Sequence, residues 1–385
     1  MVIDKGSLLQ ALRVRVTSSS LGETRQKRDL NAVLWIRAAI CRRKMAECPM
    51  VGSWKRSITA PAAGRAPTWE GESMNAIGRL GIGLAAVGRP AYINVGRTEE
   101  LPEARGVEQM RDATWSLLNG AYAAGIRWVD TARSYGRAEE FLGEWLSARM
   151  PHGLTISSKW GYTYVGDWRL DAPVHEVKEH SLDRYRAQYT ETRALLGDRL
   201  AVYQVHSLTE DSPLFDDVGL QEALAEAAAQ GVRVGFSTSG PGQAGTIRRA
   251  MRLEVSGQRL FSTVQSTWNL LETSAEAALE EAHAAGLHVL LKEVLANGRL
   301  AVRPPRALAA MASDKGTSAD ALALAAALSR PWADTVLIGA VSPGQLEANL
   351  AATHLSLNDR ESGALAGLSV APELYWRERS ELRWT

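Results

Sequence analysis

From residue 80 onward, short apolar runs alternate with amphipathic stretches. The apolar runs fall at 80–87, 126–129, 154–158, 201–205, 232–237, 261–266, 287–291 and 335–339. They are rich in Val, Ile, Leu and Phe, which suits buried strands. Between them lie helical runs around 107–124, 137–149, 176–196, 218–229, 242–255, 273–285 and 305–329, with a further helix at 343–353. Gly125, Gly231 and Gly286 close three of these helices, as expected of C-terminal caps. Strict strand–helix alternation predicts a parallel sheet. Eight such units in about 300 residues predict a (β/α)8 TIM barrel.

The first 73 residues break the pattern. They hold 13 of the 44 Lys and Arg but 6 of the 43 Asp and Glu, together with both cysteines, Cys41 and Cys48. The order of basic and apolar residues is wrong for a secretory signal. This segment is expected to be a disordered or non-native N-terminal extension, with barrel patterning beginning after Met74. Two cysteines without a neighbouring histidine do not make a zinc site, and no metal is expected. The net charge of +1 gives no reason to expect nucleic acid. No apolar run approaches the ~20 residues of a membrane span. A cytoplasmic protein acting on a small molecule is expected.

The barrel reading makes a statement about chemistry, because active sites of such barrels lie at the C-terminal ends of the strands. Asp130 ends the second predicted strand, Lys159 the third and His206 the fourth. Tyr135 lies on the loop after the second. All four belong at one rim. A phenol is a poor acid at neutral pH, and a neighbouring ammonium favours its phenolate. Lys159 is placed to be that ammonium and Asp130 to hold it. His206 can donate a hydrogen bond to a substrate oxygen. The set suits proton donation to a carbonyl; a cofactor must supply the hydride.

The runs Asp130-Thr-Ala-Arg-Ser-Tyr135-Gly136, Ser158-Lys159 and Val205-His206-Ser207 resemble the tetrad motifs of the aldo-keto reductase superfamily, and the likeness extends from about Leu80 to Ala352. The resemblance implies that Tyr135 is the general acid and base, that Asp130 and Lys159 tune it, and that His206 orients the carbonyl. It implies NADP(H) or NAD(H) as cofactor and a carbonyl or alcohol, such as a sugar hemiacetal, as substrate. Ser237, Thr238 and Gln265 match the polar residues that hold the nicotinamide amide. Leu295, Asn297 and Gly298 match the pyrophosphate loop. Gly339, Ser342, Gln345 and Asn349 match the adenosine loop and the helix that follows. A non-catalytic, nucleotide-binding redox sensor on the same fold is the alternative.

Two positions depart from the family pattern. The aromatic ring usually found against the nicotinamide after strand seven is Lys292 here, and Trp268 is the candidate to take its place. The Lys and Arg that grip the 2′-phosphate of NADP correspond to Val341 and Gln345, so weak discrimination between the nucleotides is expected. Gly81-Ile-Gly83 imitates a dinucleotide fingerprint, but no helix opens on it, as a Rossmann site requires. Gly240-Pro-Gly242-Gln-Ala-Gly245 follows the fifth strand rather than the first and reads as a turn or a loop over the cofactor. Tyr92, Trp160, Tyr162 and Trp168 are the candidate substrate contacts.

Overall fold

The computed structural model describes residues 75–96 and 99–385; the expected N-terminal extension lies outside the described residues. Eight parallel strands close into a barrel: β1 Leu80–Gly83, β2 Trp128–Asp130, β3 Thr155–Trp160, β4 Leu200–Leu208, β5 Arg233–Thr238, β6 Thr263–Thr267, β7 His288–Lys292 and β8 Thr335–Ile338. Each predicted strand is present. The order around the barrel follows the chain, and β1 pairs with both β2 and β8. Each crossover carries at least one helix, as parallel neighbours demand. Gly125, Gly231 and Gly286 take positive φ of 98°, 92° and 84° just past their helices, the left-handed conformation that ends a helix at least cost in glycine.

Three helical runs differ from expectation; in the run at 242–255 the helix Gln243–Ala250 ends early and Glu254–Val255 pairs as a strand with Gln258–Arg259. Residues 176–178 form a strand, Glu176–Lys178, antiparallel to Tyr162–Tyr164, and the helix starts only at Leu182. Ser181 caps it by accepting from the Arg184 amide. The run at 305–329 is two helices, Arg306–Asp314 and Ala319–Leu328, separated by a turn in which Gly316 has φ of +63°. Apolar periodicity is continuous across that turn, so it hides the break.

The interior of the barrel is closed at its base by Trp128, Val202, Leu290 and Leu337. Trp128 stacks on His288 with ring centroids 4.7 Å apart. The large outer core fills the space between strands and helices. A second cluster, including Leu270, Leu300, Leu308, Tyr375 and Trp376, docks the C-terminal helix Pro372–Ser380. The tail beyond that helix then pairs with the loop after β1: the Tyr92 amide donates to the Thr385 carbonyl at 3.2 Å, and the Thr385 amide to the Tyr92 carbonyl at 3.1 Å.

One close approach joins the β1 and β2 loops. A side chain at Gly88 would overlap both Ala138 Cβ and the Tyr135 carbonyl oxygen, and the Gly88 carbonyl accepts from the Arg137 amide at 2.8 Å. Gly136, at φ +61°, faces Gly88 from the other side. Gly88→Ala should therefore destabilise the fold by about 1–3 kcal/mol, the usual range for forced overpacking. It should also displace Tyr135. Denaturant unfolding of the variant tests the first expectation and its turnover the second.

Candidate active site

The predicted tetrad assembles at the barrel mouth. The Lys159 ammonium, fully buried, forms an ion pair with Asp130 Oδ2. It also donates to the Thr131 carbonyl at 3.0 Å and to the Tyr135 hydroxyl at 3.3 Å. Asp130 Oδ1 accepts from Ser157 Oγ at 2.7 Å, from Gln265 Nε2 at 3.0 Å and from Gln204 Nε2 at 3.3 Å. The carboxylate is thus bonded from β3, β4 and β6. The Tyr135 and His206 rings meet edge to face, 5.5 Å between centroids.

The loop that carries Tyr135 is pinned to the end of β3. The Thr131 amide donates to the Ser157 carbonyl at 2.8 Å and the Arg133 amide to the Lys159 carbonyl at 2.9 Å. Behind it, the buried Glu139 accepts from Ser158 Oγ at 2.5 Å, from Thr192 Oγ1 at 2.9 Å and from Arg133. One carboxylate at the start of the helix Ala138–Arg149 therefore ties that helix to β3 and to the helix Leu182–Leu196. The result is a phenol with little freedom to move, as precise proton transfer requires.

Protonation states follow from burial. Tyr135 is held well above the ordinary phenol range, first by desolvation and then by the charges of Asp130 and Glu176. Burial and these carboxylates outweigh the Lys159 ammonium, whose bond to the hydroxyl favours the phenolate, and Tyr135 keeps its proton. His206 is pushed well below the usual histidine range by desolvation, then by Lys159, Lys292, Arg89 and His180. Its imidazole is neutral and donates through one nitrogen only. Ser134 Oγ lies 3.4 Å from Nδ1; a hydroxyl that donates there leaves the proton on Nε2. The His206 carbonyl accepts from His180 Nε2 at 2.9 Å, and His180 Nδ1 lies 2.8 Å from Ser212 Oγ. Desolvation lowers His180 to about 4, so it too is neutral.

A cleft of about 450 Å³ opens on this cluster. Tyr135, His206, Gln265, Tyr92 and Tyr162 line it, together with Leu295, Asn297 and Gly298 and with Gly339, Gln345 and Asn349. Other expected contacts do not reach it. Trp160 is fully buried against Tyr185 and His180. Trp168 packs edge to face on Phe141 and donates to the Arg105 carbonyl at 2.8 Å. Both aromatics brace the loop after β3 because their side chains face inward from it. Trp268 does not take the place of the missing aromatic either. It is fully buried, edge to face with Trp332, and bonded to Glu276. Ser237 and Thr238 are buried beside the cleft, where Ser237 Oγ accepts from the Ser207 amide at 2.8 Å and Thr238 Oγ1 lies 2.8 Å from Ser266 Oγ. Ser342 is the N-cap of the helix Pro343–Leu350.

Several cleft residues carried no sequence signal of their own. Arg89 and Glu176 form an ion pair at 2.9 Å, and Arg379 pairs through both carboxylate oxygens with Glu293. Trp384, four residues after the C-terminal helix, stacks on His175 at 4.3 Å. These residues come from a loop, a hairpin and a tail that only the fold brings together. Non-glycine residues with positive φ gather here as well: Ser207, Glu293, Ala296 and Asn297, the kind of local strain that functional sites hold.

Lys292 lines the same cleft. Its ammonium donates to Thr267 Oγ1 at 2.8 Å and stands 3.7 Å from Glu293 Oε1, a carboxylate already engaged by Arg379. Desolvation lowers its pKa from 10.5 to about 8, partly offset by Glu293. A lysine depressed in the folded state makes stability fall as pH drops from the unfolded value towards 8. The burden is on the order of 3 kcal/mol at neutral pH. Lys292→Met should therefore not lower thermal stability at pH 7 and should raise it, while the gain vanishes near pH 10.5. Melting temperatures of both proteins across pH 6–10 measure this.

A model of the aldo/keto reductase family matches residues 101–369. No curated protein sequence matches the chain. Among solved structures, the aldo-keto reductase AKR11C1 from Bacillus halodurans, in its holo form, is 21% identical, with a TM-score of 0.57 over 76% of this chain and 92% of that one. The Pseudomonas aeruginosa protein PA4992, assigned to the aldo-keto reductases, is 22% identical, with a TM-score of 0.53 over 72% of this chain and 90% of that one. At these identities the two structures speak for the fold. The family match spans most of the chain, and with it the tetrad sequence: this protein belongs to the aldo/keto reductase family and is an oxidoreductase.

Proposed function

We propose that the protein interconverts an aldehyde or ketone, including the open or cyclic form of a sugar, with its alcohol, using a nicotinamide nucleotide and Tyr135 as the proton donor and acceptor. The observation that carries this reading is the cluster of Asp130, Lys159, Tyr135 and His206 opening on a cleft that is also lined by residues from the stretches expected to bind nucleotide. The cleft suits such a group. Asn297 is buried, and its Oδ1 has no hydrogen-bond partner among the described residues. A side chain at Gly339 would meet nothing within 4 Å, so the backbone there leaves room for a ligand. Leu295, Asn297 and Gly298 would hold the pyrophosphate, Gly339, Gln345 and Asn349 the adenosine, and Gln265 the nicotinamide amide.

The nucleotide, when bound, would supply or accept the hydride. The chain's own residues handle the proton. Neutral His206 directs one N–H at the carbonyl oxygen and polarises it. Protonated Tyr135 gives its proton to that oxygen as negative charge develops there. Lys159, held by Asp130, donates to the phenolate oxygen that remains. The aromatic faces of Tyr92 and Tyr162 border the same cleft. They suit the apolar face of a carbonyl compound or a sugar ring. Tyr135→Phe keeps the ring and removes the proton. Turnover of a generic aldehyde should fall at least ~100-fold, the scale of a lost general acid, while nucleotide still binds. Steady-state rates and nucleotide titration by fluorescence check both halves, and normal turnover would refute the assignment.

The expected adenosine loop bears on nucleotide choice. Gln345 Oε1 accepts from the Val341 amide at 3.1 Å, and Ser342 Oγ donates to Glu100 at 2.7 Å. Asp320 lines the cleft and accepts from Asn349 at 3.0 Å. Carboxylates suit ribose hydroxyls and repel a 2′-phosphate. Arg299 is turned towards Glu378. NAD should therefore be used within ~100-fold of NADP, under ~2.8 kcal/mol of discrimination. Gln345→Arg should move the preference towards NADP. Comparing kcat/KM for both nucleotides in the parent and the variant tests this, and a thousand-fold parental preference for NADP would overturn it.

A further inference from the structure

Arg89 is among the largest fully buried side chains of the described protein, yet it borders the catalytic cleft. Its guanidinium carbon stands 5.3 Å from the centroid of the Tyr135 ring, 5.1 Å from Tyr92 and 4.8 Å from Trp384. Nη1 donates to the carbonyl of Ser134 at 3.0 Å, the residue next to Tyr135. The same nitrogen lies 2.9 Å from Glu176 Oε1. The cation comes from the loop after β1 and the anion from the hairpin after β3, so neither is needed to close the barrel. A buried ion pair is weak evidence of stabilisation, because desolvation cancels much of the attraction. Its position against the phenol needs another reason.

We propose that Arg89 and Glu176 are an opposed pair of positioning residues that set the acidity of Tyr135, Arg89 favouring the phenolate and Glu176 opposing it. The inference rests on the reading of Tyr135 as proton donor. In the forward step the Tyr135 O–H bond breaks and a new O–H bond forms on the carbonyl oxygen, while the carbonyl carbon is reduced by the nicotinamide nucleotide. One negative charge is left on the phenol oxygen, and a solvent proton restores it afterwards. Lys159 donates to that oxygen and shares its charge with Asp130. Arg89 supplies a further cation at the ring face, where cations are attracted even to the neutral phenol.

The charged and titratable groups around Tyr135 are Asp130 and Lys159 from the strands, Arg89 and Tyr92 from the β1 loop, Glu176 from the hairpin, His206 from β4 and Glu293 beyond β7. Burial, Asp130, Glu176 and Glu293 all hold the proton on the phenol, and Arg89 pulls the other way. Removing one partner of the pair should therefore have the opposite effect to removing the other. A pair with a purely structural role would give losses of the same sign.

The test uses the full chain with carbon-13 at tyrosine Cζ, the Tyr135 resonance being assigned by its loss in Tyr135→Phe. Its ionisation is followed by NMR as pH rises, in the parent, Glu176→Gln, Arg89→Met and Arg89→Lys. Glu176→Gln should move the midpoint to lower pH and Arg89→Met to higher pH. Each shift should be about one unit, a tenfold change in ionisation constant, as expected for a charge at this distance in a partly screened site. Arg89→Lys should stay close to the parent. If Arg89→Met does not fold, Glu176→Gln decides alone: a downward shift supports the pair and an unmoved midpoint overturns it. Shifts in one common direction overturn it as well. The readout needs no substrate. Opposed shifts in a protein that turns over no carbonyl would sustain the pair and remove the proposed function. Tyr135 indifferent to both changes in an active enzyme would do the reverse.

Discussion

The fold and the chemistry of this protein meet in one buried ion pair, Lys159 with Asp130. Two charges taken from water cost several kcal/mol each unless every lone pair and proton is satisfied. Here the satisfaction is supplied by the barrel itself. Asp130 on β2 is bonded by Ser157 on β3, Gln204 on β4 and Gln265 on β6. A shift of register in any of these strands would strand a charge or an amide inside the barrel. The same constraint fixes the Lys159 ammonium 3.3 Å from the Tyr135 oxygen. The requirement that stabilises the interior thereby aims the Tyr135 hydroxyl.

Around this pair the mouth is close to electrical balance. Arg89 is set against Glu176 and Arg379 against Glu293. Lys292 remains with a share of a carboxylate already engaged by Arg379. The two histidines are neutral because burial and nearby cations both oppose their protonation. Tyr135 holds its proton for the corresponding reason, burial among carboxylates. In such a site small changes in one charge reach every other group, since the intervening medium screens them poorly.

The C-terminal tail completes the enclosure. It reaches the mouth because Tyr375 and Trp376 bury against a cluster built partly from the helices after β7. Arg379 and Trp384 follow from that docking, one bonding Glu293 and the other lying between His175 and Arg89. The loop after β1 is held in turn by backbone pairing with Thr385. Three segments distant in sequence thus share one wall.

Much of this was legible in the residues. Strand–helix alternation, with glycines at helix ends, specifies a parallel barrel because each apolar run needs two buried faces and each crossover needs a helix. Strand ends then place Asp130, Lys159 and His206 on one rim, since the active end of such a barrel is set by strand direction. What the residues could not show was which aromatics face the cleft. Trp160 and Trp168 lie next to the tetrad in sequence but pack inward, while Trp384, far away, does not. Nor could they show that Arg89 lies on the Tyr135 ring. Local pattern determines which side of a strand or helix is apolar. The orientation of loop side chains and the sum of charges over a buried site depend on contacts among distant segments, and those exist only once the barrel has closed.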